Sequence, residues 1–498
     1  MPAILPPTGD TQQPHIVPSK MVDGYVTIQV LSNDDLVYIF SLFRPHWHRR
    51  YFSDFPYVPV LSLTWAWHRL AHVCRRWRYL IFASPHRLGL GLVMSKNRRG
   101  TNLDLWPPLP ISICYNLARE LSPKDEQDVV AMLEHSDRIF EIKLTISNSL
   151  LKKSNALMES FPMLERLSLF SPDNRSTVLP SGFLGGPALA SHRLHYIVLE
   201  GVTVPTLPQL LLSGRGLIQL YLGNKVLAGD GFISPGVLTA ALSAAAQLEF
   251  LHVQFHSNIH KEQGSTDSGL PPPNFVVLPA LMHFEFHGSN VYLEDLVSRI
   301  HAPLLERICV DISQKRPRPL DIPPLSQFIS RTKRMSSLPF HTSICLEVSS
   351  FTISHTLGIR GHICFTLTCD LGFLEVSQVI YICGQLFPLM SGVERVSIDV
   401  DICQLNPPDE TDVMRWLRLF RLFDCAQELE LGSGYSVYEA DDTPKMGQEV
   451  LPALRVLRLD MGSGVPRFIK SFVTDRELTG RPIVLIRSCR HLENGIFS

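Results

Sequence analysis

The feature that most constrains this chain is a six-residue pattern, apolar-x-x-apolar-x-apolar, that returns along most of its length. It occurs at Ile139-Phe-Glu-Ile142-Lys-Leu144, Leu164-Glu-Arg-Leu167-Ser-Leu169, Leu194-His-Tyr-Ile197-Val-Leu199 and Leu217-Ile-Gln-Leu220-Tyr-Leu222. It continues at Leu248-Glu-Phe-Leu251-His-Val253, Leu281-Met-His-Phe284-Glu-Phe286 and Leu305-Glu-Arg-Ile308-Cys-Val310. After a gap it resumes at Val393-Glu-Arg-Val396-Ser-Ile398, Ala426-Gln-Glu-Leu429-Glu-Leu431 and Leu454-Arg-Val-Leu457-Arg-Leu459. Outside the gap the starts fall 23 to 33 residues apart. Helical spacing marks Asp125–His135, Leu150–Phe161, Pro235–Gln247, Leu293–Ile300 and Val376–Met390, and several units enter the pattern through Pro-x-Leu or Ala-x-Leu. One strand, one turn and one helix cannot bury an apolar face alone, so such units must stack on one another. An ordinary α/β sheet would also alternate strand and helix, but it lacks a repeated six-residue signature and favours Gly-rich turns that are missing here. Within 311–392 the pattern degrades, leaving Ile344–Val348 and Ile363–Leu367 as two further strand candidates.

This periodicity resembles leucine-rich repeats of irregular length, which implies an α/β solenoid curved as a horseshoe. Alternate strand side chains point to opposite sides. Places four and six of each unit then enter the core, and places three, five and seven line the concave sheet face. That face is predicted to carry Tyr196, Tyr221, Phe250, His252, His283, Glu285 and Arg307, and further along Arg395, Asp399, Glu428, Glu430, Arg458 and Asp460. Its first half is aromatic, as binding faces often are. Its last part leans acidic and suits a basic segment of a partner.

The N-terminal part is different. Leu36, Ile39, Phe40 and Phe43 fall at helical spacing behind Ser32 or Asn33 as N-cap, with Asp34 and Asp35 in the first turn. Leu70, Val73, Trp77, Leu80 and Ile81 repeat the spacing among Arg75, Arg76 and Arg78. The stretches Asp34-Asp35-Leu36-Val-Tyr-Ile39-Phe40 and Val73-Cys74-Arg75-Arg76-Trp77-Arg78 resemble an F-box. With Ser84-Pro85-His-Arg-Leu88 and Leu103-Asp-Leu-Trp106-Pro-Pro-Leu-Pro110-Ile111 following, the resemblance is to fungal (basidiomycete-type) F-box proteins. It implies that Leu31, Leu36, Ile39, Phe40, Val73, Cys74 and Trp77 dock an Skp-type adaptor, and through it a cullin–RING ubiquitin ligase. The expected division is a leader over 1–27, the helical module over 28–86, a linker or first repeat part over 87–137, and the repeats over 138–498. Between the module's halves, Arg44–Pro59 reads as a folded loop in which Trp47 and Phe52 are anchors, or else as a basic-aromatic binding loop.

Composition narrows the function classes. Lys plus Arg number 46 and Asp plus Glu 47, a net charge of −1, so nothing global draws the chain to nucleic acid or an anionic membrane. Ten cysteines occur without a Cys-x-x-Cys pair and read as buried thiols of a reducing compartment. The start Met1-Pro-Ala-Ile-Leu-Pro-Pro lacks a basic region followed by an apolar core, and Val237–Val253 is interrupted by Gln247 and Glu249. A cytoplasmic or nuclear protein is expected. Gly-x-Ser-x-Gly, Gly-x-Gly-x-x-Gly and the P-loop signature are missing, so neither catalysis nor a cofactor is expected. His283-Phe-Glu285-Phe-His287 puts two imidazoles and a carboxylate on one strand face, with His252 and His256 as possible neighbours. Residues i and i+4 on a strand stand about 13 Å apart, too far to share one ion unaided, so no metal is expected. Two readings follow: a substrate-recognition adaptor of an SCF-type ligase, or a leucine-rich-repeat interaction scaffold unconnected with ubiquitin, its helical module acting as a cap.

Overall fold

Ser32 starts the first helix, α1 (Asn33–Leu42). The computed structural model describes residues 28–42, 70–84, 88, 91–95, 109–115, 121–153, 155–171, 177–184, 193–224, 233–255, 275–314, 323–332, 340–346, 350–357, 361–369, 382–383, 393–400, 418–432, 450–460 and 467–488. The leader over 1–27, the loop Arg44–Pro59 and all but two residues of the helix expected over Val376–Met390 lie outside these. At the start of α1, Asp35 N–H donates to Ser32 Oγ at 3.1 Å, and Ser32 N–H and Oγ donate to Asp35 Oδ2 at 3.1 and 2.6 Å. The exchange satisfies donors that a helix start leaves open and lowers the Asp35 carboxyl from its ordinary value. The second helix, α2 (Arg75–Ala83), begins at Cys74, whose sulfur accepts from Trp77 N–H at 3.4 Å. Arg76 ties the two starts together, donating to the Leu31 carbonyl at 2.6 Å and to Asn33 Oδ1 at 3.0 and 2.9 Å.

These helices belong to the smaller of two compact units, residues 1–92 with 106–110; the larger comprises 93–105 and 111–498. Here one expectation is corrected. Leu36 and Phe40, 0% and 3% exposed, are consumed by the unit's own core with Leu80 and Ile81. The reason is their i, i+4 spacing, which puts both on the stripe that meets α2, where Phe40 lies edge-on to Trp77 at 4.8 Å. Leu31, Ile39 and Trp77 are part-buried, and Val73 and Cys74 are exposed. Ile28, Val30, Tyr38, Leu42 and Tyr79 are exposed as well.

In the larger unit the leading residue of most motifs turns the chain instead of extending it. Leu164, Leu217, Leu248, Leu281, Leu305 and Leu454 donate their N–H to the carbonyl three residues earlier, and all six are buried. In these units the strand proper starts at place three, whereas the strands at Ile139 and Val393 begin at the leading residue itself. The strands are β1 (Leu92–Met94), β2 (Ile111–Cys114), β3 (Ile139–Thr145), β4 (Arg166–Phe170), β5 (Thr177–Val178), β6 (Tyr196–Glu200), β7 (Val202–Thr203), β8 (Gln219–Asn224), β9 (Phe250–Phe255) and β10 (Val276–Val277). They continue with β11 (His283–Gly288), β12 (Ile300–His301), β13 (Arg307–Gln314), β14 (Phe340–Leu346), β15 (Ser350–Leu357), β16 (Gly361–Cys369), β17 (Val393–Val400), β18 (Glu428–Leu431), β19 (Val456–Asp460) and β20 (Val484–Ser488). Sixteen of them form one sheet in the order β1-β2-β3-β4-β6-β8-β9-β11-β13-β16-β15-β14-β17-β18-β19-β20. From β2 to β13 every pairing is parallel and follows the sequence. This ladder of strand–turn–helix units is a repeat solenoid. The short pairs β5–β7 and β10–β12 stand outside the main sheet.

One face of the sheet is buried by helices. Phe284 of β11 meets Phe328 edge-on at 5.8 Å, and Phe286 stacks on Tyr292 at 6.0 Å. Place four runs in register through Ile142, Leu167, Ile197, Leu220, Leu251, Phe284 and Ile308, all buried. The repeat helices are α3 (Pro123–Leu133), α4 (Asn148–Lys153), α5 (Leu207–Ser213), α6 (Pro235–Leu242), α7 (Asn290–Ser298), α8 (Pro323–Ser330) and α9 (Arg467–Leu478). Serines at 122, 234 and 289 cap α3, α6 and α7. Among the described residues no helix is long and apolar enough to cross a membrane.

The acidic first turn of α3 holds a buried, multiply paired carboxylate. Glu126, 3% exposed, accepts from Lys153 Nζ at 2.6 Å, from Ser147 Oγ at 3.0 Å and from Ser149 Oγ. Burial pushes its carboxyl up, but these donors outweigh that and hold it below the ordinary 4.5. A carboxyl lowered by folding stabilises fully above its unfolded value and loses that contribution as pH falls through the lower folded one. Glu126→Gln is therefore expected to cost about 1–2 kcal/mol at pH 7, by the weakening of charge-assisted bonds. The gap from wild type should close in urea titrations taken at successively lower pH, below the folded value. A gap that widens on acidification would contradict this.

The gap in the repeat pattern holds a rearrangement. The expected strands around 344–348 and 363–367 are β14 and β16, but a third strand, β15, lies between them and pairs antiparallel to both. The meander is set in reverse, so that β16 joins β13 and β14 joins β17, both in parallel. From β2 to β20, the strands of the main sheet other than β15 keep the common direction. The physical cause of the weak pattern is that β15 pairs antiparallel with the strands before and after it in sequence, so it needs neither a crossover helix nor the leading turn leucine of a parallel unit.

Candidate interaction surface

Register places the odd positions of successive strands in rows across the open face of the sheet. The first row runs Tyr196, Gln219, Phe250, His283, Arg307, His362. The second runs Val198, Tyr221, His252, Glu285, Cys309, Cys364, and the third Glu200, Gly223, Gln254, His287, Asp311, Thr366. Tyr196, Tyr221, Phe250, His283, Glu285 and Arg307 are half-buried, as residues on an open sheet face would be. Gly223 gives the second row its room: a Cβ there would stand 2.9 Å from the Tyr221 ring.

The centre of the face is an aromatic and imidazole stack. The Tyr221 ring lies flat on His252 at 4.0 Å, and His252 faces His287 at 5.1 Å. Phe250 and His283 are 6.3 Å apart in the row beside them. The Tyr221 hydroxyl donates to Gln254 Oε1 at 3.2 Å. His252 is not the exposed contact residue that its place in the motif suggests; it is 6% exposed, because Tyr221 covers it. Burial lowers its pKa, so the imidazole is neutral near pH 7, and its Nδ1 lies 2.9 Å from Glu285 Oε2. Burial pushes Glu285 up, but His252 and the neighbouring cations hold it below its ordinary value, ionised. The neutral imidazole then donates from Nδ1. His287 Nδ1 stands 3.3 Å from Asp311 Oδ2. Burial, and after it the Arg307 charge, lowers His283.

Cys309 and Cys364 stand opposite each other on β13 and β16. The Cys309 thiol donates to the Cys364 sulfur, which brings Cys364 down to about 7 and pushes Cys309 up. Alkylation of Cys364 by iodoacetamide, followed site by site with mass spectrometry, should rise with a midpoint near pH 7. Cys309→Ala should move that midpoint upward; an unchanged profile would show that the pair does not interact. The expectation of uniformly buried cysteines is also corrected, since Cys74 and Cys425 are exposed while Cys383 is buried. Cys74 caps the start of α2 and Cys425 lies in a turn before β18, both outside the strands.

The C-terminal part of the face is less acidic than its sequence suggests. Arg395 Nε lies 2.8 Å from Glu428 Oε2, and Arg458 Nε is 3.7 Å from the same oxygen. Register explains the neutralisation: Arg395, Glu428 and Val456 are directly opposite, and Arg458 is one pleat along. Glu430 is half-buried. Asp399 lies on β17 opposite Cys345, and Asp460 on β19 opposite Ser488.

The chain matches no known protein family and no curated protein. Among solved structures it is similar to the leucine-rich-repeat-containing protein LegL7 of Legionella pneumophila, with 15% identity over 64% of this chain and 92% of that one and a TM-score of 0.26. A leucine-rich-repeat protein of Leptospira interrogans is similar at 12% identity over 80% of this chain and 92% of its own, with a TM-score of 0.26. The repeat character of this chain rests on its own strand ladder. Sequence reasoning missed Cys309, Cys364 and His362 as members of the face. Cys309 holds place five of its unit and is legible by the alternation rule; Cys364 and His362 needed the reversed meander.

Proposed function

We propose that this chain is a two-part recognition adaptor: the small helical unit docks an Skp-type subunit of a cullin–RING ubiquitin ligase, and the open sheet face holds a protein substrate. The observation that carries the reading is the exposed apolar surface among the described residues of the small unit. Tyr38 and Leu42, 66% and 62% exposed, stand one turn apart on α1, and Val73, 58% exposed, precedes α2. Solvent contact of this kind disfavours an isolated unit and favours a partner that covers it. The F-box resemblance names the partner's class. The chain does no bond chemistry in this scheme; it acts by proximity, holding substrate near the ubiquitin-transferring enzyme.

A second reading, a repeat-based interaction scaffold unconnected with ubiquitin, is favoured by the internal use of Leu36 and Phe40. A pull-down of the full chain with a purified Skp-type adaptor separates the two. Stoichiometric capture supports the ligase adaptor. No capture by a chain folded by circular dichroism supports the scaffold.

A further inference from the structure

The His252–Glu285–His287 cluster has a use beyond substrate contact. We propose that these three side chains form a binding site for a single divalent transition-metal ion, zinc by donor chemistry, at the centre of the open face. The objection from spacing along one strand does not apply, because His283 is not a member. His252 comes from β9, directly opposite Glu285 of β11, and His287 follows two residues later on the same face. One ligating atom from each residue lies within 4.8 Å of the others. Ligand atoms of a tetrahedral zinc ion stand about 3.4 Å apart, as zinc–nitrogen and zinc–oxygen distances of roughly 2.0–2.2 Å require. Small side-chain rotations, with His287 moving in and His252 and Glu285 parting, supply that geometry.

A further observation points to a ligand: the imidazoles are already held in place. His252 is 6% exposed, and Gln254 stands beside its ring as a polar partner. Tyr221 clamps the His252 ring from one side at 4.0 Å, and Asp311 stands beside His287 at 3.3 Å. Carboxylates that hold a ligating imidazole in place are the usual outer shell of a metal site. Two imidazoles and one carboxylate leave a fourth position for water or for a donor from a bound partner. That position faces the surface on which we place the substrate, so the ion would act as part of the recognition surface.

The test uses the full chain, stripped with a chelator and dialysed against metal-free buffer. Zinc is titrated against a chromophoric chelator, and melting is followed with and without zinc. One zinc per chain and a higher melting temperature are expected. His287→Ala and Glu285→Gln should each weaken binding by more than the roughly 100-fold that loss of an outer-shell partner costs. Asp311→Asn should weaken it by about 10–100-fold. His283→Ala, one row away, should leave it unchanged. Cobalt(II) in place of zinc should give visible bands without a thiolate charge-transfer band, which separates this site from one built on Cys309 and Cys364. No stoichiometric zinc at micromolar concentration, equal binding by His287→Ala and wild type, or a thiolate band would each overturn the proposal. Circular dichroism of every variant excludes misfolding as the cause.

Discussion

Phe284→Ala is expected to destabilise the repeat ladder by about 3–5 kcal/mol, the cost of truncating a fully enclosed aromatic side chain. Phe284 is 0% exposed and is the second residue of β11. Its ring meets Phe328 of α8 edge-on, and Leu251 and Ile308 stand opposite it on the flanking strands. Truncation opens a cavity between sheet and helices that neither layer can close without shearing the register. A solenoid adds a second consequence. Each unit touches only its neighbours, so a lesion in the centre weakens the interfaces on both sides and divides the ladder. Urea unfolding followed by far-ultraviolet circular dichroism should show a lower midpoint and a broader or split transition. His283→Ala, one residue earlier on the open face, should move the midpoint by less than about 1 kcal/mol, in line with substitutions outside the core. Equal losses at the two positions would contradict the assignment of faces.

The second large effect separates two residues that the F-box resemblance groups together. Leu36 is 0% exposed and Val73 is 58% exposed. Leu36→Asp places an unpaired carboxylate in the core formed by Phe40, Leu80 and Ile81, and should unfold the small unit outright. Val73→Asp leaves that core alone. In complex with the adaptor, however, its carboxylate must be desolvated against an apolar surface. That is expected to cost at least about 2 kcal/mol, or some 30-fold in affinity, as hot-spot substitutions do. Calorimetric titration of the full-length variants with the adaptor, beside their melting curves, gives both readouts. Loss of binding by Val73→Asp with an unchanged melt is the result expected. Undiminished binding would place the docking surface elsewhere.

Much of the architecture was legible because a strand repeats its side-chain direction every two residues. A buried place-four residue such as Leu220 or Phe284 fixes the face of every neighbour, and slipping by one residue would expose the entire core row. The leading leucines were equally informative, since Leu164 and Leu281 are needed at the turn whatever the helix before them does. What the chain did not disclose was pairing order. β15 carries no motif, and nothing local says that β16 rather than β14 joins β13. The metal-type cluster was half legible for the same reason: its residues were named from the sequence, with His252 as a possible neighbour, but not the register that joins them. His252 and Glu285 are 33 residues apart and meet only because the registers of β9 and β11 agree. The reading of Leu36 and Phe40 failed differently: helical spacing shows that a stripe must be covered, but not whether α2 or a partner covers it.

The most direct test of the adaptor account is hydrogen exchange of the full chain, alone and with the Skp-type adaptor, resolved by peptide. The account predicts slowed exchange across residues 28–42 and 70–83 and unchanged exchange in the strands of the ladder. Absence of a complex, or protection confined to the ladder, would contradict it.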